Sequence, residues 1–224
     1  SEAAIILHAG TTQDIAGWQT WLDYFAFKGV FALSFGRSGY AGSTKQPGRI
    51  TIDVARDISE LSQHLGITKF VNLGLSGGGQ HAIATGLDPR SVGVVTVGSL
   101  APFAELGERF YDGMKQADLD EYADALRDIN DLVKRFQKWQ DGSVADSVAG
   151  AELSERDQLA ASKATWKVVL DSCAFTMGQG WDWVADDYSS YLQPWGFDPR
   201  DVKVPTIIWQ AELDQNVPVQ HGKW

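Results

Sequence analysis

Only one cysteine, Cys173, occurs among the 224 residues, so no internal disulfide can form and nothing marks an oxidising compartment. It reads as a small residue of the core. Histidine is also scarce: there are four, none at a ligand spacing such as His-x-x-x-His, so neither a metal nor any other cofactor is called for. Basic residues are outnumbered 19 to 29, for a net charge of −10. That balance repels polyphosphate, offers nucleic acid no basic stripe and suits a small neutral partner. No apolar run approaches the roughly 20 residues that span a bilayer, and no secretory signal is visible. The expectation is therefore a cytoplasmic protein without a membrane partner; the sequence does not indicate an oligomeric state. Internal repeats and low-complexity tracts are absent.

What is present is an ordinary globular composition, 44% apolar and 21% charged. Five short apolar runs, Ala3 to Ala9, Val30 to Phe35, Phe70 to Leu75, Val92 to Ser99 and Val204 to Gln210, predict strands covered on both faces. Helical patterns at Trp18 to Lys28, Ile52 to Leu65 and Gly77 to Leu87 separate the early ones, the signature of βαβ units. In the second helix Ile52, Ala55, Ile58, Ser59, Leu61, Ser62 and Leu65 mark one face, Thr51 is the expected cap and Gly66 the stop. The fold class is α/β: a mostly parallel central sheet with helices on both faces. Residues 1–102 and 203–224 form this core. Residues 103–202 lose the strand rhythm and read as an inserted helical cap, clearest at Asp118 to Gln140 and Glu155 to Leu170. Ligands of open parallel sheets bind beyond the carboxyl ends of the strands, so such a cap covers the site. Its aromatics, Trp139, Trp166, Phe175, Trp181, Trp183, Tyr188, Tyr191 and Trp195, are available to line a pocket, although core packing is the commoner use of such residues.

Chemistry concentrates at Gly74-Leu75-Ser76-Gly77-Gly78-Gly79. A Gly-x-Ser-x-Gly sequence directly after an apolar strand and directly before a helix is a nucleophile elbow, whose small neighbours let the backbone bend sharply and the Ser76 hydroxyl project. The alternative, a nucleotide-binding glycine turn, lacks both the Gly-x-Gly-x-x-Gly order and a following Lys-Ser/Thr pair. The Gly77 N–H is placed to hold an oxyanion. A second donor belongs in the loop after the first strand, His8-Ala9-Gly10-Thr11-Thr12, where the Thr11 N–H is the first choice. Gly10 lets that loop pass close to the substrate, and His8 is assigned to bracing it.

These segments resemble the α/β-hydrolase family of capped, single-domain esterases and related hydrolases. His8 to Thr11 is similar to the oxyanion loop and Gly74 to Gly79 to the elbow. Phe35 to Ser43 is similar to the family's Asp-Arg-Pro-Gly-Tyr-Gly-x-Ser loop, with Gly36 in place of Asp and Ser38 in place of Pro, exchanges expected to relax it. Trp209 to Pro218 is similar to the acid-bearing loop, which implies Asp214 as the triad acid and leaves Glu212 as the nearby competitor. The opposing reading is a turn aspartate bonding its own backbone. By the resemblance the chain lacks the family's first strands and its last strand and helix.

A triad also needs an imidazole, and none is convincingly placed. His221 lies only seven residues past Asp214 and resembles the start of a helix, His81 follows Ser76 on the elbow helix, and His64 ends a surface helix. Three explanations stand, in this order: the histidine follows Trp224 in a longer enzyme, the chain is a non-catalytic ligand-binding relative, or His221 serves unusually. The expected function is cleavage of a small, largely apolar carboxylic ester through an acyl-enzyme on Ser76. Lactones, amides and carbon–carbon bonds stay open as alternatives, as do the acyl and alcohol parts.

Overall fold

The computed structural model describes residues 3–141, 159 and 164–224. All five expected strands form, with β3 and β4 starting one residue earlier than expected and the others shortened: β1 (Ala3–His8), β2 (Ala32–Ser34), β3 (Lys69–Leu75), β4 (Ser91–Val97) and β5 (Thr206–Trp209). They pair in parallel in the order β2-β1-β3-β4-β5. The chain starts near the middle of the sheet, moves outward to β2, then returns past β1 to β3. This reversal makes the carboxyl ends of β1 and β3 the topological switch point, where a crevice opens in doubly wound sheets. The register sets His8 beside Gly74, so the loop after β1 and the turn after β3 are neighbours there.

Three helices join these strands, α1 (Gln19–Phe27), α2 (Asp53–His64) and α3 (Gly79–Thr85). Helix α2 buries Val54, Ile58 and Ser62 against Ala4, Ile6, Phe70 and Ala84. Its N-terminus departs from expectation. Ile52 occupies the cap position without a side-chain bond, the Asp53 carboxylate accepts from the Ile50 N–H at 2.8 Å, and the Thr51 hydroxyl instead donates to the Ser190 carbonyl at 2.9 Å. Leu65 is exposed rather than buried, because the chain turns away at Gly66. Gly66 ends the helix at φ +64° with open space around its Cα. Gly66→Ala therefore meets no neighbour and costs only the left-handed conformation, an expected loss of about 1 kcal/mol in a denaturant titration.

Between β4 and β5 the described chain is helical: α4 (Phe103–Leu106), α5 (Gln116–Arg127), α6 (Ile129–Asp141), α7 (Ala164–Gly178) and α8 (Asp182–Leu192). The single helix expected over Asp118 to Gln140 is broken at Asp128, whose backbone is extended and whose carboxylate accepts the Asn130 N–H at 2.9 Å, restarting the helix. Of the segment expected from Glu155 to Leu170, only residue 159 and residues 164–170 are described, and the side chain of Trp139 lies outside the description. The largest apolar cluster belongs to this insertion, with Phe110, Tyr122, Leu132, Phe136, Trp183 and Tyr188 at its centre and Tyr40 and Leu100 of the core against it.

All four residues of β5 are exposed, Trp209 to 69%. A short helix, α9 (Val219–Lys223), follows it. No described helix is long and apolar enough to cross a membrane.

Candidate active site

Strand β3 delivers Ser76 into a left-handed backbone, φ +50°, before the 3-10 turn Ser76–Gly78 and helix α3. For a residue with a Cβ this conformation costs about 1–3 kcal/mol and persists only where its surroundings over-determine it. Here they do. A Cβ on Gly74 would lie 2.6 Å from both the Gly78 carbonyl oxygen and the Gly79 Cα, so the strand and the helix start are in backbone contact. On Gly78 it would strike the carbonyl oxygens of His8 and Ala9, and on Gly77 the Thr11 hydroxyl and the Tyr191 hydroxyl. The turn after β3 thus packs directly on the loop after β1, bringing Ser76, Gly77, Gly10 and Thr11 together. The Ser76 Cβ is 3.4 Å from where a side chain on Gly10 would begin.

The loop after β1 is held on all sides. Arg37, buried, donates through Nη1 to the Ala9 carbonyl, the Thr12 N–H donates to the Tyr40 hydroxyl at 3.2 Å, and the Thr11 Oγ1 is 2.7 Å from the Tyr191 hydroxyl. No hydrogen bond among the described residues uses the Thr11 N–H. His8 braces differently from expectation: its Nε2 donates to Asn72 Oδ1 in β3 at 3.1 Å, tying strand to strand rather than to the loop. Burial pushes its pKa down to about 3, so this imidazole is neutral.

The 35–43 loop is not relaxed by its two departures from the family pattern. Arg37, Ser38 and Tyr40 are buried, the Ser43 hydroxyl donates to the Gly36 carbonyl at 2.8 Å, and Ser38 Oγ donates to Asp186. A Cβ on Gly36 would sit 2.9 Å from the Tyr40 carbonyl oxygen, which is why this tightly closed loop carries no side chain there.

Asp214 follows β5. Its Oδ1 accepts from the backbone N–H groups of Asn216 at 2.9 Å and Val217 at 3.0 Å, so the turn chemistry read from the sequence is real. Oδ2 takes no hydrogen bond among the described residues and lies over Gly98 at the end of β4. One oxygen thus fixes the carboxylate in its turn and the other carries no hydrogen bond among the described residues. Glu212 is exposed. From the insertion, the Lys115 N–H donates to the Gln215 carbonyl at 2.9 Å, and Asp118 comes near enough that burial, together with the Asp214 charge, pushes its carboxyl up to about 6.

No histidine nitrogen among the described residues is hydrogen-bonded to Ser76. His221 has both nitrogens engaged: Nδ1 accepts from the Ala101 N–H at 3.1 Å and Nε2 donates to the Phe110 carbonyl at 2.9 Å, while its ring stands edge-on to Phe110. That pairing makes it a neutral clamp between the insertion and α9. His81 is buried on α3 with its ring 6.5 Å from Tyr191, and burial with Arg37 and Arg49 holds it well below its ordinary pKa. His64 is exposed at the end of α2.

A surface groove of about 590 Å³ lies between Ile15, Ala16, Ala41, Val168 and Phe175. None of its walls belongs to the turn that carries Ser76. Among the described residues no three histidine, cysteine, aspartate or glutamate side chains converge as a metal ion requires. The aromatics of the insertion divide: Trp183, Tyr188 and Trp195 are core, Phe175 is half exposed, and Tyr191 puts its hydroxyl beside Gly77.

Sequence reasoning missed Asp187, which receives Arg37, Tyr40 and Tyr191. A signal was there. At helical spacing Asp187 falls in the stripe of Trp183, Val184, Tyr188 and Tyr191, and an acid inside an apolar stripe requires a partner.

The profile of a family described as alpha/beta hydrolase fold matches residues 3–224. Solved structures similar to the chain include an enol-lactonase from Burkholderia xenovorans, at a TM-score of 0.67 and 16% identity, covering 100% of this chain and 78% of that one. A thermophilic esterase from Thermogutta terrifontis gives 0.67 and 18%, with 100% and 76% covered. A bromoperoxidase from Bacillus anthracis gives 0.67 and 16%, with 100% and 78% covered. No curated protein matches the chain. At such identities the likeness is one of fold, and three differently named activities on one fold leave the substrate to be argued from the site.

Proposed function

The chain belongs to the alpha/beta hydrolase family, and from that premise we propose that it is a serine hydrolase acting on a small, largely apolar carboxylic ester. The observation that carries this reading is Ser76 held at φ +50° at the switch point, with Gly77 packed against Thr11, whose N–H makes no hydrogen bond among the described residues. Ser76 Oγ attacks the ester carbonyl, and the N–H groups of Gly77 and Thr11 hold the negative charge that moves onto the carbonyl oxygen. An imidazole takes the serine proton and returns it to the departing alcohol. The acyl-enzyme is then hydrolysed by water activated by the same imidazole. Asp214 Oδ2 is the acceptor that orients this imidazole. Because each of the four histidines here is engaged, buried on α3 or distant, the base is assigned to a histidine outside these 224 residues. The described helices between β4 and β5 act as the cap that shields the acyl-enzyme.

A lactone is the second substrate class, since ring opening follows the same steps and one structural neighbour is named an enol-lactonase. Incubating the full-length gene product with a fluorophosphonate should label Ser76, and p-nitrophenyl esters should give a burst of p-nitrophenol. A full-length protein that shows neither is a ligand-binding relative, and the hydrolase reading is abandoned.

A further inference from the structure

One carboxylate links the helical insertion to the loop after β1. Asp187, on α8, is fully buried, and a buried charge is strongly disfavoured unless several donors meet it. Four do. Arg37 donates to Oδ1 from Nε at 3.2 Å and to Oδ2 from Nη2 at 2.6 Å, and Oδ2 also receives the Tyr40 hydroxyl at 2.6 Å and the Tyr191 hydroxyl at 2.8 Å. Every one of these three donor residues has its other contact in residues 9–12.

Proton counting sets the direction of those contacts. Each tyrosine has a single hydroxyl proton and spends it on Asp187, so each can only accept from the loop. The Tyr40 oxygen therefore takes the Thr12 N–H, the Tyr191 oxygen takes the Thr11 hydroxyl proton, and the remaining arm of Arg37 takes the Ala9 carbonyl. Thr12 is held at φ +66°, a conformation a β-branched residue adopts only under constraint. The Thr12 N–H and the Thr11 side chain are both committed, while the Thr11 N–H, in a residue packed against Gly77, makes no hydrogen bond among the described residues. The neighbouring Asp186 holds the same 35–43 loop from another side, accepting from Ser38 Oγ and, at 2.8 Å, from the Gln46 N–H. Only Asp187 has partners that reach on to residues 9–12.

We infer that Asp187 is a positioning residue of the reaction, which sets the Thr11 oxyanion donor from the insertion, so that the oxyanion hole is in register only when α8 is seated on Arg37. The inference rests on the reading of Ser76 as nucleophile. It makes the covering helix and the charge-stabilising loop one mechanical unit. A structural role alone predicts lost stability, whereas a positioning role predicts lost turnover in molecules that are still folded.

The test is p-nitrophenyl ester hydrolysis by the full-length protein, with kcat expressed per Ser76 titrated by a fluorophosphonate. Asp187→Asn is expected to lower kcat by about 10- to 100-fold with KM within about twofold, as a misplaced donor does. Should that variant fold poorly, Tyr191→Phe keeps the ring and the Arg37 pair, removes the hydroxyl that joins Asp187 to Thr11, and is expected to lower kcat about tenfold. Asp124→Asn, which loosens Arg127 of α5 and Arg135 of α6 and touches neither residues 9–12 nor 35–43, is expected to keep kcat per titrated site while unfolding at lower temperature. Wild-type protein that does not acylate Ser76 overturns the hydrolase reading, and this inference with it. Wild-type protein that acylates, with Asp187→Asn and Tyr191→Phe matching it in kcat, overturns the positioning role alone.

Discussion

Ser76→Ala in the full-length protein is expected to lower kcat for a p-nitrophenyl ester by about 10⁶-fold and to abolish fluorophosphonate labelling, as loss of a triad nucleophile does elsewhere. The structural reason is that only Oγ is removed. The backbone at φ +50° keeps its Cβ, and the packing of Gly74, Gly77 and Gly78 against their neighbours is unchanged. A companion variant separates reactivity from strain. Ser76→Gly loses the same activity but relieves the left-handed conformation, and is expected to gain about 1 kcal/mol in stability. Retained burst kinetics in Ser76→Ala would place the nucleophile elsewhere and end the reading of the turn as an elbow.

Asp214→Asn is the second large effect. Asn retains an oxygen for the Asn216 and Val217 N–H groups, so the turn survives and stability should change by less than about 0.5 kcal/mol. In place of Oδ2, however, it presents an amide donor to an imidazole N–H. Donor faces donor, the imidazole adopts the tautomer that cannot accept the serine proton, and kcat is expected to fall by about 10⁴-fold at little changed KM. A fall of less than about tenfold would remove Asp214 from the proposed triad, because an interaction specific to the transition state must show in kcat. Asp118, whose carboxyl is pushed up to about 6 beside it, would then be the next acid to replace.

Much of the fold was legible because its signals are local. Five apolar runs of strand length became five parallel strands, and Gly66 stopped α2 where its position indicated. The insertion was readable as a change of rhythm between β4 and β5. Local patterning failed where two segments compete for one group. Thr51 looked like a cap for α2, but a carbonyl brought from α8, that of Ser190, took its hydroxyl. The helix expected across Asp128 broke because that side chain captured the Asn130 N–H instead of leaving it to the helix.

The candidate site divides in the same way. The sharp turn at Ser76, the glycines that permit it and the family membership are properties of contiguous residues, and the sequence by itself determined them, since a strained strand-to-helix turn demands small side chains at set offsets. The nearness of Thr11 to Gly77, the orientation of Asp214 through one oxygen, the engagement of His221 by Ala101 and Phe110, and the convergence of Arg37, Tyr40 and Tyr191 on Asp187 were decided only by tertiary structure. They join residues as many as 180 positions apart, as between Thr11 and Tyr191, and a hydrogen bond depends on ångström distances that no spacing along the chain encodes.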